Sequence, residues 1–299
     1  MKVHHLNCGT CCPWGGRLFD GESHGLLHGH IVCHCLLLET DRGLVLVDTG
    51  YGHRQLERRR LSKFFTFLNQ PQLLEGETAV AQVRRLGFDP ADVRHIVITH
   101  LDFDHAGGIE DFPNATVHLT AREKEVAEAG AGGAFVGTRR YRPQQWDEVD
   151  KWALYPLGRG EPWLGFDCVR DLEGLPPEIL LVPLVGHTWG HSGVAIDTGN
   201  GWLFYAGDAY FHHGEIGRRD RRCPPGMRFY QDMMEVDRAA RVTNQKKLRQ
   251  LSLERAGEVE IFCAHDRAEF DQFATAAPDA DRPLMRWRER RAPERTFAG

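Results

Sequence analysis

Arg94-His95-Ile96-Val97-Ile98-Thr99-His100-Leu101-Asp102-Phe103-Asp104-His105-Ala106-Gly107-Gly108 is the stretch that decides how this chain reads. Its apolar, β-branched first half predicts a buried strand over 94–99. The strand runs straight into four potential metal ligands, His100, Asp102, Asp104 and His105. Alternate residues of an extended segment point to one side, so His100, Asp102 and Asp104 converge, and His105 joins them from the following turn. Gly107 and Gly108 let the backbone bend tightly beneath them. A polar loop opening a helix, with Asp104 as its N-cap, would not need two flanking histidines.

Working outward, the same context recurs. Asp48, His187, Asp208 and His265 each stand at or just beyond the end of an apolar run, where sheets commonly present ligands and catalytic groups. Strands are expected at 31–40 and 44–47, joined by an Asp41-Arg42-Gly43 turn, and at 116–119, 179–185 and 259–263. A second hairpin, 194–197 with 202–205, turns on Thr198-Gly199-Asn200-Gly201. Helical spacing marks 78–86, 121–129 and 232–254. Apolar strands in both halves with helices between them predict an α/β fold with two sheets and outer helices, in a single domain over 1–299. Loop elaborations are expected near 51–77 and 130–178, the latter a candidate lid, and the tail 282–299 reads as a basic, solvated segment.

Composition narrows the function classes. Hydrophobic residues are 41%, charged residues 26% and the net charge is −5, so no electrostatic footprint calls for nucleic acid or an anionic membrane. No apolar run reaches the roughly 18–20 residues of a membrane span, and residues 1–8 lack a secretory apolar stretch, which together predict a cytoplasmic protein. A small-molecule substrate is then the expected partner, with homo-oligomerisation left open. The eight cysteines read as reduced thiols. Cys8 and Cys11 form one C-x-x-C pair without the second pair a zinc knuckle needs, and Cys33 and Cys35, alternating on a strand, read as one core and one surface residue. His4, His5, His24, His28, His30 and His34 have no motif around them and read as ordinary histidines.

The motif at 100–105 resembles the H-x-H-x-D-H signature of the metallo-β-lactamase superfamily, with Asp102 in place of the middle histidine. Val47-Asp48-Thr49-Gly50, Gly186-His187-Thr188-Trp189-Gly190-His191-Ser192, Ala206-Gly207-Asp208 and Ala264-His265-Asp266 are similar to that family's remaining motifs, in order, over residues 31–266. Among its members the look is nearest to N-acyl homoserine lactone lactonases. Those enzymes carry a catalytic Tyr three residues after the bridging Asp, where this chain has Phe211; Tyr210 lies one place earlier.

The resemblance implies a four-layer αββα sandwich and two divalent metal ions, Zn first, with Fe or Mn compatible with the same ligands. One ion would be held by His100, Asp102 and His187, the other by Asp104, His105 and His265, with Asp208 and a water or hydroxide bridging them. Asp48 and His191 would support the ligands from behind, and Asp104 and Tyr210 are the catalytic candidates. Asp102 adds a negative charge where the family has a neutral ring, so weaker Lewis acidity and a less acidic bridging water are expected. The implied activity is hydrolysis of a small carbonyl ester, a lactone first. Phosphoester hydrolysis and diiron oxidoreductase chemistry are the alternatives on the same site.

Overall fold

The computed structural model describes residues 1–58, 61–131, 140–217 and 220–274; the basic tail at 282–299 lies outside the described residues. Two six-stranded sheets dominate. The first runs, in sheet order, β1 (Lys2–Cys11), β2 (Ile31–Thr40), β3 (Gly43–Val47), β4 (Val93–Val97), β5 (Thr116–Thr120) and β6 (Trp152–Tyr155). The second runs β12 (Val259–Phe262), β11 (Trp202–Tyr205), β10 (Ser192–Asp197), β9 (Ile179–Pro183), β8 (Phe166–Asp171) and β7 (Glu161–Trp163). The helices are α1 (Arg17–Asp20), α2 (His53–Arg58), α3 (Lys63–Asn69), α4 (Ala79–Arg85), α5 (Ala121–Glu128), α6 (Pro225–Met234), α7 (Arg238–Glu254) and α8 (Arg267–Ala274).

The layering follows from strands that are apolar on both faces. Leu36 and Leu38 of β2 and Val45 and Val47 of β3 meet Ile179, Leu181, Val194 and Ile196 between the sheets. Their neighbours Leu37, Leu44 and Leu46 point the other way, onto Val80 and Val83 of α4 and Val126 of α5. On the far side of the second sheet, Val182, Ala195, Phe204 and Ile261 pack on Leu248 and Leu251 of α7. Each fully buried Leu or Val contributes on the order of 1.5–3 kcal/mol, so both faces of each sheet are held. The result is a helix–sheet–sheet–helix sandwich.

Both hairpins form in the expected places. Thr40 pairs with Gly43, whose φ of 112° suits glycine, and Asp197 pairs with Trp202. Several stretches depart from the sequence reading. The 51–77 stretch is not loop alone: it carries α2 and α3, the latter capped by Ser62 Oγ accepting from Phe65 N. The 130–178 stretch is not a loop region: it carries β6, which ends the first sheet, and β7 and β8, which end the second, though residues 132–139 lie outside the described set. The helix expected over 232–254 is two, divided at Glu235–Asp237, with the Asp237 side chain accepting from Ala240 N to cap α7. β1 was missed because its polar His, Asn and Cys residues break the apolar alternation, yet it completes an edge on β2.

Strand direction places the ligands. β3 and β4 are parallel. β9 and β11 both run antiparallel to β10, and β11 is parallel to β12, so β9, β11 and β12 share one direction. The residues that follow these five strands therefore emerge on one rim. There the sheets are stitched together by Ser192 N donating to Thr99 O at 3.0 Å and His34 N donating to Ala264 O at 2.9 Å.

Candidate metal centre

At that rim His100, Asp102, Asp104, His105, His187, Asp208 and His265 come together. His105 Nε2 and His265 Nε2 lie 3.3 and 3.2 Å from Asp208 Oδ1, and His265 Nε2 lies 3.8 Å from Asp104 Oδ2. On the other side, His187 Nε2 and His100 Nε2 lie 3.3 and 3.7 Å from Asp208 Oδ2, and 3.1 and 3.4 Å from Asp102 Oδ2. Donors around a tetrahedral zinc at about 2.0–2.1 Å stand about 3.3 Å apart. Both groups match that spacing, and His100 Nε2 and Asp208 Oδ1 are buried without a hydrogen-bond partner among the described residues. The residues fit two divalent ions.

The imidazoles are oriented from behind. Asp48 Oδ1 accepts from Thr99 N, and its Oδ2 accepts from Thr99 Oγ1, His105 Nδ1 and Tyr205 OH, all at 2.8–2.9 Å. The Thr99 hydroxyl, having given its proton to Asp48, accepts from His100 Nδ1 at 3.0 Å. His265 Nδ1 donates to the Val32 carbonyl at 2.8 Å. In each ring Nδ1 is thereby the donor to its neighbour, and Nε2 is the atom turned toward the centre, ready to coordinate once it carries no proton. Asp48 adopts φ 54°, a left-handed conformation that costs on the order of 1 kcal/mol or more outside glycine; its four accepted bonds over-determine it. Replacing Asp48 by Asn puts a donor where only acceptors are wanted. Metal affinity at the His105 side should fall about 10- to 100-fold, read by competition with a chelating dye.

His191 lies behind the cluster. Its Nδ1 donates to Leu184 O at 2.9 Å and its Nε2 accepts from Asp208 N at 2.9 Å, so both ring nitrogens are committed. Burial pushes its pKa down to about 3, keeping it neutral. Gly207, at φ 53°, has no room for a side chain: a Cβ would lie 2.8 Å from His191 Nε2. Gly107 is needed for close approach too, since a Cβ there would lie 2.5 Å from Gly50 O.

Electrostatics suit cation binding. Burial opposes the Asp208 charge, but His265, His105 and His187 outweigh it and hold the carboxyl well below its usual range. For His100, burial and the neighbouring His105 hold the ring neutral. Asp102 is also held ionised against burial, chiefly by Arg140.

That arginine was not anticipated. Arg140 is fully buried; its Nε and Nη2 grip Asp102 Oδ1 and Oδ2, each at 2.7 Å, a bidentate pair. The extra negative charge that Asp102 brings therefore stands beside an opposite one, a countercharge the expectation of weaker Lewis acidity did not include. Glu123 of α5 was missed as well. It accepts from Leu101 N and Tyr141 OH on one oxygen and from Thr188 Oγ1 and Gly190 N on the other, tying the two ligand loops together. Neither residue has a local motif that could have flagged it.

Tyr210 does not join the cluster. Its hydroxyl donates to Glu269 at 2.9 Å, among the residues under α7, because successive residues after Asp208 point to opposite sides. Phe211 is the one at the site, 5.2 Å from the His265 ring. Tyr230 of α6 packs on Phe211 at 5.9 Å, and burial, then the Asp104 carboxylate, raise its hydroxyl well above the ordinary phenol value. Glu269 itself is raised to about 8 by burial and Asp266. Its folded pKa exceeds its ordinary value near 4.5, so the folded state retains a proton the unfolded state releases. Stability should fall as pH rises from about 4.5 to 8. Glu269→Gln should remove that slope, gaining on the order of a few kcal/mol over the native chain at pH 8 and nothing at pH 4, as measured by urea unfolding.

The remaining histidines and cysteines divide. His24, His28 and His30, read as ordinary, line a cavity of about 490 Å³ with Phe211, Met227 and His265. His4 bonds Glu39 and His5 bonds His34, away from the centre. Cys8 and Cys11, three apart on β1, face different clusters and form no chelating pair. Cys33 and Cys35 are both buried, so the surface place expected for one is corrected; the second face of β2 is covered as well. All eight cysteines are free thiols. No helix among the described residues is long and apolar enough to cross a membrane.

Comparison with known proteins gives the family and the fold. The model of the metallo-beta-lactamase superfamily matches residues 28–256. A probable metallo-hydrolase of Mycobacterium tuberculosis is 41% identical over 268 residues, spanning 89% of this chain and 80% of that protein. An N-acyl homoserine lactonase of Bacillus cereus is 29% identical over 166 residues, 55% of this chain and 58% of its own length. Among solved structures, an N-acyl homoserine lactone hydrolase with N-hexanoyl-L-homoserine at its catalytic metal center superposes with a TM-score of 0.66, covering 91% of this chain and 95% of that one. At 20% identity, this likeness speaks for the fold alone.

Proposed function

The chain belongs to the metallo-beta-lactamase superfamily, and on that footing we propose that this metal-dependent hydrolase works with two divalent ions, zinc first, to open a small neutral carbonyl ester, a lactone before others. The observation that carries the proposal is Asp208. Its Oδ1 faces His105 and His265 while its Oδ2 faces His187 and His100, the arrangement of a carboxylate shared between two cations. His100, Asp102 and His187 would hold one ion, and Asp104, His105 and His265 the other. Such ions acidify water toward neutral pH and polarise a carbonyl oxygen.

The chain's own groups then do the rest. Asp48, through His105 and Thr99, and the Val32 carbonyl keep three ligand rings in the tautomer that coordinates. Asp104 has the most exposed side chain of the ligand set, 16% accessible, and burial raises its pKa. It takes the proton of the attacking water as the water oxygen bonds to the carbonyl carbon, and returns it to the alkoxide when the ester C–O bond breaks. The cavity beside His265 is lined by Asp20, Glu22, Asp266 and Asp271 and, among the described residues, by one guanidinium, that of Arg267, a balance that favours a neutral ester over an anionic phosphoester. Assay of the zinc-loaded protein on a γ-lactone, an aryl acetate and an aryl phosphodiester should give the highest kcat/KM for the lactone. Faster phosphodiester turnover would overturn the substrate assignment.

A further inference from the structure

The two ion positions are unequal. At the Asp104, His105 and His265 position, among the described residues, no guanidinium or ammonium hydrogen-bonds the donor atoms. At the other, Arg140 Nη2 lies 2.7 Å from Asp102 Oδ2 and 2.8 Å from His187 Nε2. The arginine is anchored rather than incidental: Nε grips Asp102 Oδ1, and Nη1 donates to the backbone carbonyls of Met234 at 2.9 Å and His187 at 3.2 Å. A guanidinium only donates, so His187 Nε2 must accept. An imidazole nitrogen has one in-plane lone pair, and an ion at this position needs the same one.

We propose that Arg140 is a built-in competitor for one ion position, so that the two ions load in order. Resting on the two-ion reading above, the first ion enters at Asp104, His105 and His265. The second enters at His100, Asp102 and His187 only as Nη2 leaves His187, while the Nε contact to Asp102 Oδ1 can persist. Giving up a charge-assisted hydrogen bond weakens the second ion by about ten- to a hundredfold.

The test is metal titration of the full chain after removal of metal with a chelator, using Zn²⁺ by calorimetry and ¹¹³Cd²⁺ by NMR. The native chain should show two separate cadmium resonances filling in sequence, with zinc affinities at least tenfold apart. Arg140→Met removes the competing donor and leaves Asp102 with its full charge. It should tighten the second zinc at least tenfold and leave the first within threefold. A merely structural arginine predicts the opposite sign, since its loss would loosen the ligands. Arg140→Lys, which keeps a cation but not the fork, should fall between the two and serves if the Met variant does not fold. Equal affinities in the native chain, or a weaker second ion in Arg140→Met, would overturn the inference while leaving two ions in place. A second ion absent from native and variant chains alike would overturn the two-ion reading itself, and this inference with it.

Discussion

Asp208→Ala is expected to lower kcat/KM by at least about 10³-fold, equivalent to about 4 kcal/mol of transition-state stabilisation, and to leave the purified protein with fewer than two ions. The size follows from position. Asp208 is nearly fully buried, and its two oxygens lie within 3.2–3.7 Å of four imidazole nitrogens. Its loss removes a ligand from both ion positions at once and leaves two cations facing each other with less negative charge between them. Replacing a terminal ligand with no part in proton transfer, such as His265, touches one position only and should cost less. His191→Gln supplies the control, since that side chain contacts the Asp208 backbone rather than the centre. Elemental analysis and kcat/KM on a lactone decide the matter. Two retained ions in Asp208→Ala, or equal metal loss in His191→Gln, would contradict the bridging assignment.

Asp102→His restores the residue usual in the resembling motif, yet is expected to damage the protein. Arg140 forks Asp102 at 2.7 Å on both oxygens and is wholly buried. With the carboxylate gone, the guanidinium keeps its carbonyl contacts but loses its countercharge in a buried site, a change that costs about 3–5 kcal/mol for a buried pair. It also stands beside the cation the new imidazole would bind. The single variant should therefore unfold at lower urea and lose metal at the His100 and His187 position. Asp102→His combined with Arg140→Met removes both charges and should recover most of the stability and the second ion. If ionisation of water limits the rate, the double variant should keep a pH–rate profile close to that of the native chain, because a charge-neutral pair has been exchanged for a neutral ring. A fully stable, fully metallated single variant would show that Asp102 and Arg140 are not matched as described.

The cluster of side chains at the rim was legible because its signals are local. His100 to His105 follow one strand within a few positions, and Asp48, His187, Asp208 and His265 each close an apolar run. Such patterns survive in one dimension, as do the turns at 41–43 and 198–201. The 130–178 stretch was not legible, because β6 and β7 are short edge strands and β8 pairs between β7 and β9, so their identity comes from the sheets they join. Tyr210 was misplaced for a related reason: one residue of shift along the chain after Asp208 turns the side chain to the opposite face, and the sheet decides which face is the site.

By itself, then, the sequence determined the donors, their grouping at strand ends and a layered α/β architecture. Short-range spacing sets which atoms a strand or turn presents. Only the tertiary structure decided that β3, β4, β9, β11 and β12 open onto one rim, that Glu123 ties two ligand loops, and that Asp102 has Arg140 as its partner. That pair is separated by 38 positions, with no motif joining them. A buried carboxylate must find a countercharge from whichever segment packs against it, and that segment is chosen by the closing of the whole sandwich rather than by its neighbours in the chain.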